Sequence, residues 1–165
     1  MNSSVSVCPV PFDQRPINEY HTLKESWLFR WVTLDLKAYL SRIVWFWSLS
    51  WSITGPIAAA SFPPLDYPGK FALTAAAGAS LVLASLLLRL YLGWLYIYDR
   101  LLSETVFYEE TGWYDGQLWV KPPEVLVKDR LIGTYQVQPM LQRLRRTFSL
   151  LGLFLLAGWI LWRLI

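Results

Sequence analysis

The sequence predicts an α-helical membrane protein: three transmembrane helices with a cytoplasmic or stromal β-hairpin and short amphipathic helices. Three observations carry this expectation. Residues 43–62 and 71–88 hold no charge, and residues 147–165 hold only Arg163; about 20 apolar residues at 1.5 Å rise per residue cross the hydrocarbon core of a bilayer. Hydrophobic residues make up 55% of the chain, where soluble domains sit nearer 45–50%. Ten Trp, nine Tyr and eight Phe among 165 residues suit interfacial belts, in which an amphipathic ring keeps one edge wet.

The charge balance excludes one class of function. Lys and Arg exceed Asp and Glu only by 15 to 12 and are dispersed along the chain, so no basic face for nucleic acid is expected. Cys8 is the single cysteine and forms no intramolecular disulfide, so nothing points to an oxidising compartment. No cleavable signal or transit peptide is visible at the start. The first spanning helix is therefore expected to direct insertion.

Residues 1–42 are expected to be a Pro-rich tail followed by an amphipathic interfacial helix. Pro9, Pro11 and Pro16 lack an N–H and bias their predecessors to extended geometry, which argues against regular helix up to Tyr20. Val10, Phe12 and Ile17 give that tail something to bury. Leu23, Trp27, Leu28, Trp31 and Leu34 then recur at helical spacing among charged residues, as in a helix lying flat on a membrane surface.

Residues 43–98 read as a transmembrane helical hairpin. Its first span, 43–62, carries Gly55 and Pro56, where a kink is expected, with Ser52 placed to help satisfy the freed carbonyl region. Pro63, Pro64 and Pro68 end it in a loop of residues 63–70, short enough to make the next helix antiparallel. The second span, 71–88, has Thr74, Ala75, Gly78 and Ala79 in small-xxx-small spacing, which suits close helix packing within the chain or, less often, between chains. No stop signal appears until beyond Asp99, so the helix is expected to project to about residue 103.

The third span, 147–165, follows Arg143, Arg145 and Arg146. Topology follows from the basic residues: Arg15, Lys24, Arg30, Lys37 and Arg42 precede the first span, seven more lie in 99–146, and the 63–70 loop holds Lys70. The positive-inside bias puts the N-terminus and the 99–146 module on the cytoplasmic or stromal side.

Within that module TVFYEETGWYDGQLWVK reads as a β-hairpin, with Asp115-Gly116 at a two-residue turn. That turn pairs Tyr114 with Gln117, Trp113 with Leu118, Gly112 with Trp119, Thr111 with Val120 and Glu110 with Lys121. Type I′ geometry then requires positive φ at Gly116. Pro122-Pro123 opens a helix with Glu124 and Lys128 at i,i+4, Gly133 is its candidate C′ residue, and the last helix is expected to begin after Pro139.

Catalytic groups are sparse. His21 is the one histidine, so neither a paired-His metal site nor a di-iron carboxylate site of the usual kind can be built. Glu104, Glu109, Glu110 and Asp115 could offer oxygen to a hard cation, but Glu109 and Glu110 alternate across a strand, and a solvated acidic rim is the plainer reading. There is no GxGxxG, GxxxxGK[ST] or CxxC. No catalytic, cofactor or metal-binding residue is assigned.

CPVPFDQRPINEY, RLYLGWLYIYDRL, YEETGWYDGQLWVKPPEVL and KDRLIGTYQVQPMLQRLRRT together resemble the hypothetical chloroplast reading frame 36 family, small membrane proteins of cyanobacteria and plastids with nuclear-encoded chloroplast relatives in the green lineage and diatoms. The resemblance implies a thylakoid or other photosynthetic membrane and supplies no active-site residue; the lack of a visible transit peptide fits a cyanobacterial or plastid-encoded member. Two functions are then expected. The first is an accessory or assembly factor whose partners are membrane lipids and a membrane protein, with Arg89, Arg100, Trp113, Tyr114 and Trp119 as the interaction surface, because large aromatics and arginines dominate binding interfaces. The alternative is an enzyme or a pigment- or lipid-handling protein using interfacial carboxylates and tyrosines. No residue supports a pigment ligand directly. A buried polar cavity at the level of Arg89 would favour that alternative.

Overall fold

The computed structural model describes residues 8–109 and 116–164. Three helices long and apolar enough to cross a membrane dominate it, together with a two-stranded antiparallel sheet. A 3-10 turn at Phe12–Gln14 leads to α1 (Pro16–Glu25), a second 3-10 turn at Phe29–Thr33, then α2 (Leu36–Ser61) and α3 (Pro68–Leu102). Strands β1 (Thr105–Tyr108) and β2 (Gln117–Val120) follow, and α4 (Pro123–Ile132), a π-helical turn (Gly133–Val137) and α5 (Gln138–Leu164) form one run to the end.

The N-terminal segment departs from expectation twice. Pro16 opens a helix instead of preventing one, since its missing N–H falls at the first helical position, where no intrahelical partner exists. The amphipathic helix expected over 23–34 instead ends at Glu25, where Ser26 turns extended and its N–H bonds back to Thr22 and Leu23. Packing explains the break. The 3-10 turn buries Trp31 and Val32, and its freed carbonyls find side-chain donors: Trp94 Nε1 donates to Phe29 O at 3.3 Å, and Arg143 donates to Val32 O and Leu34 O. Asp35 then caps α2 by accepting from the Ala38 N–H.

α3 is the element around which the others pack. Leu83, Leu87, Leu90, Trp94, Ile97 and Leu101 lie at helical spacing and are buried against Tyr20, Val32, Val137, Leu141 and Leu144. At its other end small residues admit α2 closely. Thr54 Oγ1 lies 3.1 Å from both Ser50 O and Ala75 O, a Cβ on Gly78 would touch Thr54 Cγ2 at 3.0 Å, and Trp47 Nε1 donates to Ser80 Oγ at 3.1 Å. Ala75, Gly78 and Ser80 of α3 are thus covered by α2.

The last helix is also continuous where an interruption was expected. Gly133 follows α4 with φ −54° and does not end the helical run; the π-helical turn carries the chain into α5, in whose first turn Pro139 lies. Pro139 removes one N–H and crowds the carbonyl four residues earlier, and the widened turn just before it absorbs that defect. Phe62 and Trp162 meet edge to face, with centroids 5.2 Å apart. The 62–67 connection and the end of α5 are therefore together, opposite the sheet.

The hairpin register differs from the one expected. Thr105 faces Val120, Val106 faces Trp119, Phe107 faces Leu118 and Tyr108 faces Gln117, so β2 is paired six residues away from the predicted partners. The connection spans residues 109–116, and Glu110 to Asp115, including Trp113 and Tyr114, lie outside the described residues. The physical reason is burial. This register turns Val106 and Tyr108 onto Val10, with Cys8 and Trp119 beside them, whereas a two-residue turn is only a local preference.

Candidate functional site

The polar module is built where α3 leaves the apolar part of the molecule. The last carbonyls of a helix have no internal partner, and here Lys121, just after β2, supplies one: its Nζ donates to Arg100 O at 2.9 Å and Leu101 O at 3.2 Å. Asp129 of α4 completes the site, with Oδ2 2.7 Å from the same Nζ and the two side chains 0% and 6% exposed. A buried ammonium with three acceptors has its donors satisfied. The pair locks β2, α3 and α4 together.

Arg100 is a second hub. Its Nε is 2.9 Å from Glu19 Oε2, and its terminal nitrogens donate to Tyr96 Oη at 2.9 Å and to Gln14 O at 2.8 Å, with Phe107 O at 3.5 Å. Burial pushes the Glu19 carboxyl above the usual carboxylate range, opposed by the positive charge of Arg100. Gln14 extends the sheet by side chain: its amide donates to Glu109 O and accepts from the Glu109 N–H, each at 2.9 Å.

Two grooves flank these hubs. One, of about 530 Å³, lies between α1 and α3 and is lined by Asp13, Glu19, Phe29, Arg89, Gly93 and Tyr96. Arg89 is exposed there, with its guanidinium 5.7 Å from the Phe29 ring centre. The other, of about 320 Å³, lies between the N-terminal segment, β2 and α4, with Cys8, Arg15, Trp119 and Lys128 around the Lys121–Asp129 pair.

Of the five residues expected to share one surface, Arg89, Arg100 and Trp119 are described. Arg89 lines the first groove. Arg100 is engaged by four partners inside the molecule, and the half-buried Trp119 faces the second groove. Trp113 and Tyr114 fall outside the described residues. Sequence reasoning missed Gln14, Glu19 and Asp129 altogether and assigned Lys121 to Glu110; no local spacing announces these contacts, since Gln14 and Glu109 are 95 residues apart. Among the described residues no three His, Cys, Asp or Glu side chains gather as a metal site.

Fold and site together define a class: long apolar helices carrying a small polar module held by ion pairs. The chain belongs to the CGLD27-like family, described as conserved in the green lineage and diatoms 27, whose model matches residues 8–150. It is 47% identical over 161 residues to the ycf36 protein of Porphyra purpurea, covering 98% of both chains. It is 47% identical over 148 residues to that of Cyanophora paradoxa, covering 90% of this chain and 93% of the relative. Over 153 residues it is 46% identical to the Arabidopsis thaliana protein Conserved in the Green Lineage and Diatoms 27, chloroplastic, covering 92% of this chain but 47% of that relative, so it spans about half of the plant protein. No solved structure matches.

Proposed function

We propose that this protein is an integral membrane accessory or assembly factor of photosynthetic, thylakoid membranes, acting through contacts with lipids and a membrane protein partner. The observation that carries the reading is the exposure of large apolar side chains along all three long helices: Val44, Ile53 and Ile57 on α2, Leu81 and Leu88 on α3, and Leu153, Phe154 and Ile160 on α5. Apolar surface on that scale requires hydrocarbon or partner helices. The plastid setting rests on the family and on the chloroplastic description of the plant relative. The N-terminal segment and the 99–146 module pack on each other at one end, and the excess of basic residues there supports a stromal or cytoplasmic location for that end.

Docking is supported at the same end, where Phe107 and Leu118 are 54% and 70% exposed beside Tyr96 and Arg100. In this reading Arg89, Tyr114 and the outer strand face contact the partner while Arg100 and Trp119 hold that face in shape. The test is affinity purification of the tagged protein from solubilised photosynthetic membranes. Arg89→Ala and Tyr114→Ala are expected to accumulate normally and to lose co-purifying protein. Full recovery with both variants overturns the docking role.

A second reading, handling of a lipid-soluble substrate or pigment, is favoured by the groove where Glu19, Asp13, Arg89 and Tyr96 meet at the base of the module. Its signature in the same purification is a small molecule that stays with wild type and is lost from Arg89→Ala.

A further inference from the structure

The end of the molecule opposite the module holds a different cavity. Between the first half of α3 and the second half of α5 runs a groove of about 520 Å³, within the range of about 300–1,000 Å³ typical of small-molecule sites. Leu73, Ala77, Phe154, Gly158, Trp159 and Trp162 line it. It exists because small residues face one another: a Cβ on Gly158 would meet only Leu73 Cδ2, at 4.0 Å. The groove opens sideways, with Trp159 56% and Phe154 50% exposed.

Its mouth is positive. The Nζ of Lys70 sits 5.9 Å from the ring centres of both Tyr67 and Trp162, and the guanidinium of Arg163 sits 5.2 Å from that of Trp159. Two of these rings, Trp159 and Trp162, are groove walls, so both cations are held over its edge. Among the described residues neither forms an ion pair with a carboxylate. α3 also starts here. Phe71 is the first amide to bond back, to Tyr67 O at 2.9 Å, which leaves Gly69 and Lys70 N–H at the positive end of a 35-residue helix.

We propose that this groove binds one anionic glycerolipid, its acyl chain between α3 and α5 and its headgroup on Lys70, Arg163 and the first amides of α3. The apolar walls match the chain, and two cations with free helix amides match a phosphate or sulfonate. The proposal rests on the membrane reading above. A partner helix would bury the apolar walls equally well but would leave the cations unanswered, which favours lipid.

Native mass spectrometry of the full-length, detergent-purified and delipidated protein tests it, with phosphatidylglycerol and the neutral digalactosyldiacylglycerol as probes. The wild type is expected to take one phosphatidylglycerol in preference to the neutral lipid. In Lys70→Gln/Arg163→Gln that preference is expected to fall by about tenfold or more. In Ala77→Leu/Gly158→Leu, which fills the groove, both adducts are expected to vanish while circular dichroism stays unchanged. Equal uptake of the two lipids by wild type, or full phosphatidylglycerol uptake by the filled variant, overturns the proposal. A dimer that the filling substitutions abolish, with no lipid adduct in wild type, also overturns it and assigns the groove to a second copy. Alkaline carbonate extraction of native membranes judges the membrane reading separately: release of the wild type into the soluble fraction overturns that reading whatever the mass spectra show.

Discussion

The apolar helices and the polar module solve the same problem with different interactions. Where α2 and α3 meet, Ser50, Thr54 and Ser80 bond to their own helix or the one beside it: Ser50 to Phe46 O, Thr54 to Ser50 O and Ala75 O, Ser80 to Ala76 O. In the module the joints are ion pairs or reach far along the sequence: Lys121 to Asp129 is a buried ion pair, Arg100 to Glu19 is both, and the Gln14 amide meets the Glu109 backbone 95 residues away. Loss of one small contact in the helices leaves the rest of a continuous apolar interface intact. Loss of one partner of the Lys121–Asp129 pair strands a charge that has no water to return to.

The largest expected effect comes from breaking the buried pair. Asp129→Ala leaves the fully enclosed Lys121 ammonium with two carbonyls and no counter-charge, and one-sided removal of a buried pair costs about 3–5 kcal/mol. Chemical unfolding in detergent measures it. Lys121→Met/Asp129→Leu is expected to recover most of the loss, because two apolar side chains leave no charge to desolvate. A single-variant loss below about 1 kcal/mol would show that water reaches the pair and that module and helices tolerate a lost contact alike.

A middle effect is expected where the two regions join. Gly93 is on α3 directly beneath Phe29, and a Cβ there would overlap Phe29 Cε1. The Phe29 backbone is held through its carbonyl by Trp94 Nε1, so relief has to come from rotation of the half-buried ring. Gly93→Leu is expected to cost about 1–3 kcal/mol as an overpacked contact. Adding Phe29→Ala should relieve the overlap, so the two substitutions together should cost less than their sum, and strict additivity would count against contact between them.

Legibility in the sequence follows the same division. Three long apolar helices were readable because each needs only its own composition: a run without charge supplies the lipid-facing surface, and i→i−4 bonds satisfy the backbone whatever the rest of the chain does. The module was readable only in outline. Trp31 has the spacing of a helix face, yet the helix breaks before it, because Trp94 and Arg143, 65 and 111 residues from the carbonyls they serve, make a tighter turn affordable. Asp129 is unremarkable in the sequence and becomes a counter-ion only once Lys121 is folded against the end of α3. Helical offsets put Arg89, Tyr96 and Arg100 on one face of α3, and Tyr96 and Arg100 do touch. Nothing in that offset could show that Arg100 is already occupied by Glu19 and Gln14.

The smallest effect tests that contrast most directly, at Gly116. Had Asp115-Gly116 formed a two-residue turn, Gly116→Val would have forced a branched side chain into positive φ and cost more than about 1 kcal/mol. In the observed register Gly116 precedes β2 and its φ lies outside the left-handed region. What a Cβ there would meet is the far edge of the Phe107 ring. Phe107 is 54% exposed, so its ring can swing toward solvent, and Gly116→Val is expected to change stability by no more than about 0.5 kcal/mol. Phe107→Ala should make even that difference disappear. A loss well above 1 kcal/mol that persists with Phe107→Ala would mean that backbone conformation, not the ring, constrains Gly116, and it would restore the tight turn and the register that local sequence preference favours.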